Sequence, residues 1–160
     1  MVAVSIILAV LLILFLVGKK SVHQELLIEA SPDEVWQVLT HRDDMSTWNH
    51  ILVPLDGELA ENSTINYSFT EKEGKSSEMK AKVRKLIPNQ LLNQSGGIPG
   101  ILTFDHRYIL QSQGAHTMLT IHEDYKGIMV PFWNPDGVEE AYGRLAEALR
   151  QRVLTLKNSQ

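Results

Sequence analysis

The chain predicts an α+β fold, and three features carry that prediction. Period-two alternation begins near Ile51 and recurs up to Tyr125. Two short helical segments separate these strands from an earlier single strand. One long amphipathic helix closes the chain. Six or seven antiparallel strands with three such helices make one α+β domain, and a separate apolar segment precedes it.

That apolar segment is MVAVSIILAVLLILFLVG, residues 1–18, in which Ser5 is the one polar side chain. At about 1.5 Å per residue it would reach roughly 27 Å as a helix, close to the ~30 Å of a hydrocarbon core. Residues 1–18 are therefore read as an uncleaved transmembrane anchor and residues 19–160 as the domain. A secretory signal peptide is the alternative, although the basic start and the small-residue cleavage site are missing. A buried helix is a third reading. Lys19 and Lys20 follow the apolar run, so the positive-inside tendency keeps the domain cytoplasmic.

All 15 basic and 19 acidic residues follow Gly18, and the net charge is −4. Such a balance has no electrostatic footprint for nucleic acid. With no cysteine there is no disulfide framework, no thiolate nucleophile and no Cys-type zinc site. The sequons at Asn62, Asn66 and Asn93 matter only in a glycosylating compartment.

Ser21 to Ala30 reads as a strand with Val22, Leu26, Ile28 and Ala30 on one face. Ser31-Pro32-Asp33-Glu34 then starts a helix: Ser31 caps, Pro32 suits the first helical position and Glu34 closes a capping box. That helix carries Val35, Trp36, Val38 and Leu39. A second short helix follows, capped by Asp43 or Asp44, with Met45 and Trp48 facing inward. Ile65, Tyr67 and Phe69 alternate in the next clear strand. Glu71 to Lys75 is a hairpin turn signal. In Ser77 to Ile87, Met79, Ala81, Val83 and Ile87 oppose Glu78, Lys80, Lys82 and Arg84, the pattern of a half-solvated antiparallel strand. Leu91-Leu92 is a short strand, and Gly96-Gly97-Ile98-Pro99-Gly100 is expected to be an irregular loop. Residues 101–112 and 116–126 form the last two strands around Gly114. The closing helix is capped by Asp136, with Val138, Tyr142, Leu145, Leu149, Val153 and Leu156 as its apolar stripe.

This order of elements resembles the helix-grip fold of the START and birch-pollen-allergen superfamily (SRPBCC). Ile28-Glu29-Ala30-Ser31-Pro32-Asp33-Glu34-Val35-Trp36 is similar to that superfamily's opening, and Trp48-Asn49 to its second-helix Trp-Asn pair. Phe104-Asp105-His106-Arg107-Tyr108, Thr117 and Glu123 to Gly127 resemble the late strands of the polyketide cyclase/dehydrase-like branch. The resemblance covers residues 21–157. It implies a curved sheet gripping the long helix, with a cavity between them for a hydrophobic small molecule or lipid. The implied lining is Tyr67, Phe69, Met79, Val83, Phe104, His106, Tyr108, Leu119, Ile121, Glu123 and Tyr142.

His106 and Glu123 are the sharpest polar features. If the last two strands pair as a hairpin, their inward faces are neighbours. An imidazole beside a carboxyl in a dry pocket serves as general base or orients a ligand carbonyl. The favoured reading is a satisfied polar pair holding two strands, or two side chains that face solvent if the register slips by one residue. A catalytic version takes His106 or Glu123 as base and Tyr108 as donor. Asp105 and Arg107 would form a surface pair. The six histidines show no metal-ligand spacing, and neither a nucleophile elbow nor a P-loop is present, so no metal or cofactor is expected. The glycine-rich segment is either a connection or a lid. Met129 to Trp133 either packs beneath the last helix or touches the membrane. Trp36 and Trp48 are core anchors in the favoured reading and ligand stackers in the other. The leading expectation is non-catalytic binding of a hydrophobic ligand. A cyclase/dehydrase-like enzyme and an assembly or co-chaperone module are the alternatives, and no protein partner is named.

Overall fold

Alternating side chains make one sheet. Its strands are β1 (Lys19–Ile28), β2 (Leu52–Asp56), β3 (Thr64–Lys72), β4 (Lys75–Ile87), β5 (Leu91–Ile98), β6 (Leu102–Gln113) and β7 (His116–Lys126). In the computed structural model, which describes residues 2–159, the order is β1-β7-β6-β5-β4-β3-β2. Every neighbouring pair is antiparallel. The pleat sends Val22, Ile28, Ile65, Tyr67, Val83, Tyr108, Leu119 and Ile121 into one core and leaves the charged residues of β4 outside.

Two helices carry the chain from the β1 edge to the β2 edge: α2 (Pro32–Thr40) and α3 (Met45–Trp48). The capping box forms as predicted, with Glu34 N–H donating to Ser31 Oγ and Ser31 N–H donating to Glu34 Oε2. The Ser31 N–H first, and then the Ser31 hydroxyl that donates to the same Oε2 at 2.8 Å, hold the Glu34 carboxyl below its ordinary range. Met45 and Trp48 are buried, but Asp44 at the N-cap position makes no side-chain cap bond. The closing helix, α4 (Asp136–Lys157), spans roughly 33 Å across the inner face. Pro135 occupies its N-cap position, so Asp136 lies in the first turn and does not cap. The stripe from Val138 to Val153 is buried, whereas Leu156 is partly exposed beyond the sheet.

The glycine-rich segment departs from expectation. Gly96, Gly97 and Ile98 belong to β5 and pair with Phe104, Thr103 and Leu102. Strand pairing tolerates Gly96 because space for a side chain is already taken: a Cβ there would lie 2.6 Å from Phe104 Cζ and 2.2 Å from the Lys80 carbonyl oxygen. The turn is confined to residues 99–101, with φ of +79° at Gly100.

The helix α1 (Val2–Val17) precedes β1 by one residue. Its 16 residues reach roughly 24 Å. Among the described residues, no helix is long and apolar enough to cross a membrane. Gly18 joins α1 to the domain without slack. Its carbonyl accepts a hydrogen bond from Gly127 N–H at 3.0 Å, and a Cβ on Gly18 would lie 2.0 Å from the Gly127 oxygen.

Candidate functional site

The register between β6 and β7 sets His106 directly opposite Glu123. Both are almost fully buried. His106 Nδ1 lies 2.6 Å from Glu123 Oε2, and Tyr142 of α4 donates its hydroxyl to the same oxygen. The rings of Tyr108 and Tyr142 stand edge-on to His106, with centroids 4.6 and 5.0 Å away. Gln94 of β5, opposite His106 on its other side, donates to the Tyr67 hydroxyl at 2.6 Å. Burial pushes the Tyr67, Tyr108, Tyr125 and Tyr142 hydroxyls above their ordinary range. The nearby Glu123 carboxylate pushes the last three in the same direction. These phenols therefore stay protonated, and Tyr142 donates to the Glu123 carboxyl group. His106 Nε2 is buried without a hydrogen-bond partner.

The space around this cluster is uneven. A cavity of about 730 Å³ touches Phe69, Met79, Phe104, Glu123, Tyr125, Trp133, Val138 and Tyr142. It opens past Ile98, Ile101 and Leu102, and part of it lies outside the sheet against Thr64, Lys82 and Arg84. Behind it, a void of about 10 Å³ is bordered by Tyr67, Gln94, His106, Glu123 and Tyr142. That is room for about one water molecule. A further void of about 20 Å³ touches Tyr67 and Tyr108.

Of the lining expected from the sequence, Phe69, Met79, Phe104, Glu123 and Tyr142 thus meet the large cavity. Tyr67, His106 and Tyr108 border only the small voids. Val83, Leu119 and Ile121 point inward but line none of these spaces. They are fully buried in the core, and both α2 and α4 contact β7, which carries Leu119 and Ile121. Gln94, Tyr125, Trp133 and Val138 were missed. Gln94 and Tyr125 sit on the inward parity of their strands, so alternation would have found Gln94 had β5 been followed past Leu92, and Tyr125 had the lining on β7 been followed past Glu123.

Asp105 and Arg107 form the expected outer pair at 2.7 Å, and Arg107 also meets Asp124 at 3.2 Å. Trp48 is a core residue, and Trp36 packs against the core. Among the described residues, no group of three or more histidines and carboxylates could hold a metal ion. A separate groove of about 420 Å³ between α2 and the end of α4 touches none of the cluster.

A family model described as Activator of Hsp90 ATPase homolog 1-like protein matches residues 29–152. The chain belongs to this family. It lies within the SRPBCC superfamily, the helix-grip group that the motifs resemble. Among solved structures, TTHA0849 from Thermus thermophilus is similar at 13% identity and a TM-score of 0.67, over 86% of this chain and 99% of that one. A norcoclaurine synthase point mutant from Thalictrum flavum, solved with a transition-state analogue, gives 16% identity and a TM-score of 0.63, over 87% and 96%. CalU16 from Micromonospora echinospora gives 19% identity and a TM-score of 0.59, over 88% and 83%. At these identities the likeness is one of fold. No curated protein sequence matches the chain.

Proposed function

We infer that this Hsp90-activator-like chain is a membrane-anchored module that binds a hydrophobic small molecule or lipid without catalysis. The observation that carries this reading is the cavity between the sheet and α4, which together with its mouth and the part outside the sheet measures about 730 Å³. Its volume and its lining of Phe69, Met79, Phe104 and Trp133 with one buried carboxyl suit a small apolar ligand with a polar end. Glu123 and Tyr142 would hold that end.

Support for the anchor comes from α1, whose described side chains from Val4 to Val17 are mostly exposed, large and apolar. Its length falls short of an average bilayer, a mismatch that local thinning accommodates. Lys19 and Lys20 favour a cytoplasmic domain.

The test is titration of the delipidated full chain in mild detergent with fluorescent fatty acids and phospholipids, beside native mass spectrometry of the purified protein. Saturable binding is expected, and Met79→Trp should weaken it by narrowing the cavity. Absence of both copurified ligand and saturable binding would sink the reading.

A cyclase/dehydrase-like activity has one observation in its favour, the inward His106 ring with its unpartnered Nε2. Yet His106 borders only the void of about 10 Å³, which leaves a substrate no room beside it. The assembly or co-chaperone reading is supported by the family description. It would be favoured if the delipidated chain bound Hsp90 and no apolar ligand.

A further inference from the structure

Seven large apolar side chains are exposed on the domain that follows Gly18: Leu27, Leu55, Ile98, Ile101, Met129, Phe132 and Leu156. Four of them stand together at one end of the sheet. Ile98 and Ile101 flank the β5–β6 turn, and Met129 and Phe132 lie on the segment after β7. The two loops are tied by backbone: Ile128 N–H donates to the Gly100 carbonyl and Met129 N–H to the Ile101 carbonyl, each at 3.1 Å. The four side chains are 61, 44, 49 and 70% exposed, far from the usual state of such residues in a soluble domain.

Two further observations say what covers them. First, this is the end from which α1 leaves the domain. Gly127, next to these loops, bonds to Gly18, and the Gly18–Gly127 contact has no room for a side chain. The end of the apolar helix is thus joined to the domain next to the apolar loops. Second, the mouth of the large cavity lies here, since Ile98, Ile101 and Leu102 line it.

We propose that Ile98, Ile101, Met129 and Phe132 dock into the lipid interface beside α1, so that the cavity opens onto the bilayer rather than onto water. The inference rests on the anchor reading above and adds the orientation of the domain. Insertion by about 5–10 Å is the ordinary depth for an apolar face at the headgroup boundary, and it would draw the short α1 into the hydrocarbon. Charge at this end leans basic: Lys19 and Lys126 face each other across β1 and β7 beside Lys20, and Glu71, Lys72, Glu73 and Lys75 lie on the β3–β4 hairpin, where Lys75 pairs with Glu71. The lysines would add attraction to anionic lipid, but the four apolar side chains supply the insertion, so neutral vesicles should suffice.

The absence of cysteine makes the test direct. Single-cysteine variants of the full chain, Ile98→Cys, Phe132→Cys, Leu8→Cys in α1 and Ser112→Cys at the far end of β6, are labelled with an environment-sensitive dye. They are reconstituted in phosphatidylcholine vesicles with and without doxyl-labelled acyl chains. The labels at 8, 98 and 132 should shift to the blue and lose emission with doxyl lipid, and the label at 112 should do neither. A quenched label at 8 with unquenched labels at 98 and 132 overturns the docking proposal alone. An unquenched label at 8 overturns the anchor reading. Blue-shifted labels at 98 and 132 that doxyl lipid does not quench overturn docking in favour of contact between copies of the chain.

Discussion

The inner face of the sheet divides into two regions with the same alternation and different fates. On β1 and the adjoining half of β7, Val22, Leu119 and Ile121 are covered by α2 and α4 and leave no space. On β3 to β6, Phe69, Met79 and Phe104 face the helix across an open cavity. Parity within a strand decides which way a side chain points. What packs opposite decides whether it meets atoms or solvent. His106 and Glu123 sit between the two regions, with the imidazole on the closed side and the carboxyl reaching both.

The largest effect should come at that boundary. Glu123→Ala leaves His106 and Tyr142 without their shared acceptor in a dry site and should cost about 3–5 kcal/mol, as removal of one partner of a buried pair does. A double-mutant cycle with His106→Ala, read by urea unfolding in detergent, checks it, and purely additive losses would show that the pair is not coupled.

Next comes the contrast between regions. Ile121→Ala should cost about 2–5 kcal/mol, because it opens a void in a filled core. Met79→Ala should cost about 1 kcal/mol, because its side chain already borders open space. Equal losses in the unfolding midpoint would mean that the cavity is closed in solution.

Alkaline pH gives a third measurement. Tyr67, Tyr108, Tyr125 and Tyr142 are raised in the folded state, chiefly by burial. Their contribution is therefore complete below about pH 10, where the unfolded phenols are still protonated. It is lost as the unfolded chain ionises above that pH while the folded one does not. Each such tyrosine adds about 1.4 kcal/mol per pH unit to the fall. Tyr108→Phe should remove one such contribution from the slope measured above about pH 10. An unchanged slope would mean that its hydroxyl titrates freely.

The smallest effect lies at the start of α2, outside the cavity lining. Ser31→Ala removes the side-chain half of the capping box and should cost about 1 kcal/mol in thermal unfolding, with ligand binding unchanged.

Much of the fold was legible because it depends on local chemistry. The Ser31–Glu34 box, the Gly74 and Gly114 turns and the 116–126 strand are each written within a few residues. The His106–Glu123 pairing was legible too, since a short hairpin sets its own register. Gly96 to Ile98 was misread because glycine punctuates loops on average. Here it is the ring of Phe104, supplied by the neighbouring strand, that makes glycine fit a strand.

Composition and periodicity alone determined an α+β domain behind a charge-free helix, the faces of its strands, and a histidine beside a carboxyl. Only the tertiary structure decided which inward residues line space, that Tyr142 joins the pair, and that Ile98, Ile101, Met129 and Phe132 gather where α1 leaves. The reason is physical. Periodicity reports direction along one element, whereas a cavity, a shared acceptor and an apolar rim are made by elements far apart in the chain.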